Sequence, residues 1–260
     1  MSSSTDRAVL RERDARGIIT LTLNRPQAFN ALSESVLRAL QAELDALHED
    51  ASARALVLAA TGKAFCAGHD LKEMRAQPSL EYYRGLFAQC ARMMTSLTRL
   101  PVPVIARVQG IATAAGCQLV AQCDLAVASS EARFAVSGVN LGLFCSAPSV
   151  PLSRNVARKQ AFEMLVTGEF IDAHAAQARG LVNRVAEPAA LDAELERLLA
   201  SILTKPRSAI AIGKELFYKQ LELGSDAAYE VAGATMACNM MDAAALEGVQ
   251  AFIDKRAPRW

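Results

Sequence analysis

The sequence lacks the features that would assign it to several common classes of protein. No run of apolar residues is long enough for a membrane-spanning helix. Its 27 acidic and 28 basic side chains nearly balance, so no charge of one sign favours nucleic acid or an anionic membrane as a partner. The residues Met1 to Thr5 are polar and contain no apolar core of a secretory signal. We therefore expect a cytoplasmic protein with no nucleic-acid or membrane partner.

Cysteine pairs and the common nucleotide and hydrolase motifs are also missing. The six cysteines form no CxxC pair and most lie among small apolar residues, which favours reduced thiols over disulfides or a zinc site. No GxGxxG follows the first predicted strand, and no GxxxxGK[ST], GxSxG, HExxH or EF-hand loop occurs. These absences argue against a nicotinamide dehydrogenase, a P-loop enzyme and the metal-dependent classes that those motifs mark.

Strand and helix patterns alternate through most of the chain, which at 260 residues suits one large α/β domain or a domain with a small appendage. Gly17 to Leu23 alternates and is rich in β-branched residues, which predicts a strand. Ser33 is a predicted N-cap for an amphipathic helix ending at His48. Further along, the pattern predicts a buried strand over 55–59, a helix over 80–100, a strand over 104–108, a helix over 117–122 and a strand over 124–128. This alternation predicts an α/β fold with covered sheets.

The C-terminal part of the sequence is helical from Leu191 onward. The spacing predicts one long last helix over Asp226 to Lys255. We therefore divide the chain into a core over 1–200 and a C-terminal helical region over 201–260. Such a region could cover the core as a lid or pack on a neighbouring subunit.

Two turns of small residues are the main candidates for a functional site. Lys63–Lys72 and Gly110–Gln118 each join a predicted strand to a predicted helix. Small residues let a backbone approach a ligand closely, and free N–H groups at a helix start favour negative charge. If the turns face each other, they supply the two convergent donors of an oxyanion hole. The alternative for each turn is ordinary packing of a helix on a sheet.

Both turns resemble paired signatures of the crotonase, or enoyl-CoA hydratase/isomerase, superfamily. The first is similar to the family's (A/S)GxD turn and the second to its GxxxGGG-like turn. Further segments resemble the family's NRP…NAL, PVIAAVNG, CD(I/L), TG…A…GLV and FxxKR patterns; they are Asn24–Leu32, Pro103–Gly110, Cys123–Ala128, Thr167–Val182 and Phe252–Arg256. Together the segments cover nearly the whole chain.

The resemblance implies a fold, an assembly and a ligand. The fold is the crotonase (ClpP-like) fold of repeated ββα units with a C-terminal helical region, assembled as a homotrimer or as a hexamer made of two trimers. The ligand is an acyl-CoA thioester whose carbonyl oxygen is held by the N–H groups of His69 and Ala115. No metal, and no cofactor beyond the CoA moiety, is expected.

The resemblance also implies positions that contact CoA, with surface charge or core packing as the alternative for the charged and aromatic ones. Arg25 and Lys72 would meet phosphates, while Phe252 and Lys255 would reach the ligand from the C-terminal helix. The full set of binding positions is Arg25, Ala67, Asp70, Leu71, Lys72, Phe252 and Lys255.

The sequence departs from the family at the two glutamates that hydratases use to activate water and deliver a proton. The first slot is Gln118 and the second is Gly138; the slot of a further acid in dienoyl-CoA isomerases is Ser146. Glutamine takes no proton near neutral pH and glycine has no side chain. Because a positioned acid–base group contributes about 10²–10⁴-fold, we expect ordinary enoyl-CoA hydration to be very slow.

Three other residues near these slots are candidates for chemistry. His69 resembles the histidine of the malonyl-type decarboxylase branch, although the tyrosine of that branch is replaced by Cys145. Asn140 could orient a water or a carboxylate, or cap a turn, and Cys145 could equally be a small core residue. The predicted catalytic set is therefore His69, Ala115, Gln118, Asn140 and Cys145. Two alternatives remain open: a non-catalytic acyl-CoA-binding protein, and a decarboxylase or thioesterase that uses His69.

Overall fold

The computed structural model describes residues 7–76 and 78–260, so the polar leader Met1 to Thr5 lies outside the described residues. In chain order its strands are β1 (Val9–Arg13), β2 (Ile18–Leu23), β3 (Ala55–Ala60), β4 (Ala64–Cys66), β5 (Val104–Val108), β6 (Ile111–Thr113), β7 (Leu125–Ser129), β8 (Arg133–Ala135), β9 (Ile171–Asp172) and β10 (Arg184–Ala186).

The helices are α1 (Glu34–His48), α2 (Leu71–Ala76), α3 (Leu80–Arg99), α4 (Ala115–Gln122), α5 (Ser146–Asn155), α6 (Arg158–Thr167), α7 (Ala173–Ala178), α8 (Leu191–Leu203), α9 (Arg207–Gln220), α10 (Ser225–Asn239) and α11 (Ala243–Ile253). None of the helices in the described ranges has both the length and the apolarity that crossing a bilayer requires.

From β3 to β8, successive strands of the chain alternate between two sheets, which confirms the predicted α/β fold of ββα units. The larger sheet has the order β1-β2-β3-β5-β7-β10, and the smaller has the order β4-β6-β8-β9. In the pairs β3–β4, β5–β6 and β7–β8, the first strand lies in the larger sheet, the second lies in the smaller sheet, and a helix follows. The larger sheet is parallel from β2 to β10, and every residue of β3 is buried, as expected for a strand covered on both faces.

The first helix forms as its sequence predicts. The Ser33 hydroxyl accepts a hydrogen bond from the Val36 amide at 3.3 Å and so caps α1. The large apolar residues of α1 all lie on its buried face: Val36, Leu37, Leu40, Leu44 and Leu47. The same helix packs against α3.

The prediction of one long C-terminal helix over Asp226–Lys255 is wrong, because α10 and α11 are separate helices. The backbone of Asp242 is extended, with ψ 141°, and α11 starts directly after it. The Asn239 amide donates to the Asp242 carboxylate at 3.0 Å across the break. Asn and Asp compete with helical hydrogen bonds through such side-chain bonds, so the apolar spacing alone was misleading.

A division of the chain at residue 200 stays a prediction, and α8 spans that point. The apolar side of α8 packs on the outer face of the larger sheet, where Leu195 and Leu199 share a cluster with Val57, Ile105 and Val127. The helices that follow, α9 to α11, are mostly exposed or half-buried in the isolated chain.

A buried ion pair fastens α9 to the core. The Lys214 ammonium is 9% exposed and donates to the Asp124 carboxylate at 2.6 Å and to the carbonyl oxygens of Leu97 and Val102 at 2.8 and 2.9 Å. The Asp124 carboxylate also accepts from the Tyr218 hydroxyl at 2.7 Å. Burial lowers the pKa of Lys214, and the Asp124 charge opposes that shift. The ammonium therefore depends on Asp124 for its charge balance.

Replacing Asp124 should destabilise the protein strongly, because it leaves the buried Lys214 ammonium without a counter-charge. We expect Asp124→Ala to lower the free energy of unfolding by about 3–5 kcal/mol. Glu215→Ala, an exposed neighbour of Lys214 on α9, is the control and should change it by about 0.5 kcal/mol or less. Urea denaturation measures both; a loss in Asp124→Ala no larger than in the control would contradict this role.

Candidate functional site

The first small-residue turn, Ala67 to Asp70, follows the end of β4. Gly68 has φ +94°, a conformation that residues with a side chain rarely adopt. The Gly68 carbonyl accepts from the Leu32 amide at 2.7 Å, and the Asp70 amide donates to the Leu32 carbonyl at 3.3 Å. These two bonds form a short parallel bridge that places His69 opposite Leu32. The turn is thus held from one side by the segment that precedes α1.

The second turn lies directly against the first. A Cβ on Gly68 would be 2.9 Å from the Ala114 Cβ and 3.2 Å from the Ala115 nitrogen. Ala114 itself has φ +50° and ψ −120° at the N-cap of α4, a strained conformation for a residue other than glycine. Strain of this kind persists only where the surroundings impose it. The two turns therefore face each other, which is the condition for an oxyanion hole at these turns.

Two backbone amides at this contact have no hydrogen-bond partner. Within residues 7–76 and 78–260, neither the His69 N–H nor the Ala115 N–H donates to a protein acceptor. Ala115 is the first residue of α4, where the amide groups point out of the helix and carry partial positive charge. The arrangement offers two neighbouring donors to an electron-rich oxygen.

The His69 side chain is half-buried and lies against the Phe87 ring of α3. Burial lowers its pKa, and a hydrogen bond with the Leu32 backbone only partly opposes that shift. The imidazole meets the Phe87 ring edge-on at a centroid distance of 5.5 Å, and Tyr83 stacks on Phe87 at 6.3 Å. Its Nδ1 is buried without a hydrogen-bond partner in the described structure.

Gln118 lies one helical turn after Ala115 on α4. Its side chain is 5% exposed, and its Oε1 is buried without a partner among the described residues. Residues three apart on a helix share a face, so Gln118 lies on the side of α4 that carries Ala115. The amide can donate and accept hydrogen bonds, but it cannot act as a general base at neutral pH.

The slot at Gly138 is closed by Cys145. Gly138 lies in a short 3₁₀ turn, Ser137–Leu141, and its amide donates to the Cys145 Sγ at 3.3 Å. A Cβ on Gly138 would be 2.7 Å from that sulfur and 2.5 Å from the Leu143 carbonyl oxygen. Both distances are too short for any side chain. The second carboxylate is therefore absent, and the space for it is filled.

The surroundings of Cys145 favour packing over nucleophilic chemistry. The residue is 6% exposed, and burial raises the pKa of its thiol, with the Gly138 amide only partly opposing the shift. A reactive cysteine needs a lowered pKa. The catalytic prediction for Cys145 stays a prediction that these surroundings do not favour.

Asn140 is exposed and faces the end of α6. Its amide donates weakly to the Gly168 carbonyl at 3.4 Å. Gly168 ends α6, so this contact ties the 3₁₀ turn to that helix. The bond is one that a turn-capping residue makes, and none of the hydrogen bonds in the described structure joins Asn140 to His69 or Gln118.

The predicted CoA-binding positions fall into two groups. Arg25, Ala67, Asp70, Leu71 and Lys72 cluster at the first turn: the Arg25 guanidinium pairs with the Asp70 carboxylate at 3.3 Å, and Asp70 accepts from the Lys72 amide at 3.2 Å. Leu71 and Lys72 are exposed at the start of α2.

The second group lies at the C-terminal end of α11. Phe252 is 85% exposed there, and Lys255 follows the helix with φ +55°. No hydrogen bond among the described residues joins either of them to residues 67–72. The structure of one chain therefore brings together only the first group.

The sequence did not predict the contact between the side chains of Thr113 and Ser137. The hydroxyls of Thr113 and Ser137 are 2.8 Å apart and link the end of β6 to the 3₁₀ turn. Thr113 precedes the Ala114–Ala115 turn and Ser137 precedes Gly138, so the two motifs are joined directly. Each motif contains a hydroxyl residue that could have suggested this contact. Whether the two hydroxyls meet depends on the register of β6 and β8, which the sequence does not show.

Comparison with known proteins agrees with this geometry. The family model described as enoyl-CoA hydratase/isomerase matches residues 13–260. The chain belongs to this family. A crystal structure of enoyl-CoA hydratase from Mycobacterium smegmatis has 65% sequence identity and a TM-score of 0.97, covering 98% of this chain and 99% of that chain. The crotonase resemblance and its fold are thereby confirmed.

Two relatives carry the name enoyl-CoA hydratase domain-containing protein 3. The human crystal structure has 41% sequence identity and a TM-score of 0.94, and the match covers 98% of this chain and 100% of that chain. The Xenopus laevis protein, named as mitochondrial, is 46% identical over 246 residues, which is 94% of this chain and 83% of the relative. Family membership does not by itself assign a reaction to the site with Gln118 and Gly138.

The filled slot in this family member predicts an energetic coupling between Gly138 and Cys145. Gly138→Ala should destabilise the protein by about 1–3 kcal/mol, because the new Cβ overlaps the thiol and the Leu143 carbonyl. In Gly138→Ala with Cys145→Ala, the total loss should be smaller than the sum of the single losses. Part of the destabilisation by Gly138→Ala remains in the double variant, since the new Cβ is still close to the Leu143 carbonyl oxygen.

Chemical denaturation of the four proteins of this cycle measures the coupling. Gly85→Ala is the control: a Cβ there meets nothing within 4 Å, so the change should be neutral or stabilising by up to about 1 kcal/mol. Strictly additive losses at 138 and 145 would show that the thiol does not fill the slot.

Proposed function

We propose that this protein is an acyl-CoA thioester enzyme that holds the thioester carbonyl between the N–H groups of His69 and Ala115. The observation that carries the proposal is a pair of neighbouring amides, that of His69 in the first turn and that of Ala115 at the start of α4, with no acceptor among the described residues. Charge that develops on a thioester oxygen is unstable in water, and donors fixed in advance lower its energy. Removing one such donor typically costs about 2.7–4 kcal/mol in the barrier.

We further propose that ordinary hydration of enoyl-CoA is not the main reaction of this site. Gln118 supplies no proton-accepting group at neutral pH, and the space at Gly138 is taken by the Cys145 thiol. Each missing acid–base group is worth about 10²–10⁴-fold in rate. A second water-activating carboxylate would need the 3₁₀ turn to change shape.

Two specific observations support two alternatives. The half-buried His69, whose pKa is lowered by burial and whose Nδ1 is unpartnered in the described structure, supports decarboxylation or hydrolysis of a thioester with His69 taking part. The closed slot at Gly138 supports a non-catalytic acyl-CoA-binding protein. Turnover separates them: loss of turnover in His69→Ala with CoA affinity kept favours the first, and binding without turnover of enoyl-, malonyl- or acyl-CoA favours the second.

A homotrimer or a hexamer of two trimers remains our proposal for the assembly. The support is a set of large apolar side chains on α10, on α11 and in the turn between them that are more than half exposed in the isolated chain: Tyr229, Met236, Met241, Leu246, Phe252 and Ile253. In such an assembly Phe252 and Lys255 could serve a site on another subunit. No cofactor beyond CoA is proposed, and the cytoplasmic location stays a prediction.

The proposal is tested by comparing thioester and thiol ligands. We expect wild-type protein to bind crotonyl-CoA more tightly than CoA and to hydrate it far more slowly than a hydratase with both glutamates. Gly68→Ala should remove most of this preference, because a Cβ there pushes against Ala114 and the Ala115 amide. Calorimetric titration measures the two affinities, and the loss of the enoyl-thioester absorbance measures the rate of hydration.

The control for this test is Gly213→Ala, which adds a Cβ with nothing within 4 Å on α9. It should bind crotonyl-CoA as wild type does. Rapid hydration by the wild-type protein, or equal affinity for crotonyl-CoA and CoA, would contradict the proposal.

A further inference from the structure

Asn30 is a buried polar residue that the proposed reaction leaves unused. It is 2% exposed, and its backbone has φ +55°. Its Oδ1 accepts from the Arg25 amide at 2.8 Å. Its Nδ2 donates to the carbonyl oxygens of Thr61 and Ala64, both at 2.8 Å. Both amide hydrogens are used, so the side chain locks the segment before α1 onto the end of β3 and the start of β4.

The residues on either side of Asn30 hold the turn that carries His69. The Phe29 carbonyl accepts from the Ala67 amide at 3.0 Å. Leu32 makes the bridge to Gly68 and Asp70. Three backbone hydrogen bonds from 29–32 thus reach residues 67, 68 and 70, and they leave the amide between them, that of His69, without a protein partner. The direction of that N–H follows from the position of the segment.

The backbone of the segment is itself strained. Phe29 and Asn30 both have positive φ, at +50° and +55°. Asparagine tolerates this conformation better than most residues with a side chain, and here its three hydrogen bonds offset the strain. Without the side chain, the segment would keep its backbone contacts to the turn but lose its anchor on β3 and β4.

We propose that Asn30 is a positioning residue that sets the His69 N–H for the thioester carbonyl. The inference rests on the proposed function and assigns to Asn30 no contact with the ligand. Its effect is transmitted through Phe29 and Leu32 to the Ala67–Asp70 turn. Small displacements of a positioned group cost much activity: about 1 Å can cost about 10²-fold.

The test is the polarisation of a bound thioester carbonyl. Butyryl-CoA labelled with ¹³C at the carbonyl reports hydrogen bonding through its chemical shift and its stretching frequency. In Asn30→Gly, which accepts the positive φ but lacks the side chain, we expect most of the wild-type carbonyl shift to be lost. The preference for butyryl-CoA over CoA should fall about tenfold, the size of one hydrogen bond. Affinity for CoA itself should change little.

A matched control removes hydrogen bonds to the connection between β3 and β4 and to the start of β4, without changing residues 29–32. Gln109 donates to the carbonyl oxygens of Gly62 and Ala64, both at 3.1 Å. Gln109→Ala should therefore keep the full carbonyl shift. Asn30→Asp is the second variant: it keeps the shape and the bond from the Arg25 amide but loses both donors when ionised. It should lose the shift at neutral pH and recover part of it when acid protonates the carboxylate.

The outcomes separate this role from the proposed function. No carbonyl shift in the wild-type protein would refute the oxyanion hole and, with it, the role of Asn30. A shift in the wild-type protein that persists in full in either folded Asn30 variant would overturn the role of Asn30 alone. Loss of thermal stability with an unchanged shift would make Asn30 purely structural.

Discussion

The proposed site depends on keeping two backbone amides, those of His69 and Ala115, without an acceptor among the described residues. A backbone N–H is a strong donor, so the chain around these amides must be prevented from relaxing toward a protein acceptor. Hydrogen bonds from residues 29–32 hold the first turn, and the close contact of Gly68 with Ala114 and Ala115 holds the second. The second turn is strained at Ala114, which lies at positive φ, and the first turn requires Gly68, which can be replaced only at a steric cost.

Under the proposed function, the same two turns would polarise a thioester carbonyl without the two hydratase glutamates. The donors are backbone groups, so they survive any change of side chain that keeps the turns in place. The acid–base groups are side chains, and at 118 and 138 they have become an amide and a glycine. At Gly138 the change extends beyond the lost carboxylate, since Cys145 and the Leu143 carbonyl occupy the space. This combination points to chemistry that needs carbonyl polarisation more than water activation.

Local signals in the sequence predicted much of the fold and part of the site. The cap at Ser33 and the buried β3 depend on residues close together in the chain, and so do the small residues of the turns at Gly68 and Ala115, although the contact between those two turns does not. The sequence did not predict the break between α10 and α11 at Asp242, because the helical spacing of apolar residues continues across it. The closure of the Gly138 slot and the bond between Thr113 and Ser137 depend on how separate turns meet in space. Neither has a periodic signature.

The central claim is that the amides of His69 and Ala115 bind the thioester carbonyl, and a crystal structure with butyryl-CoA tests it most directly. We predict the carbonyl oxygen within hydrogen-bonding distance, about 2.7–3.1 Å, of both the His69 and the Ala115 nitrogen atoms. A carbonyl oxygen that contacts neither nitrogen, with the CoA moiety well ordered, would contradict the claim.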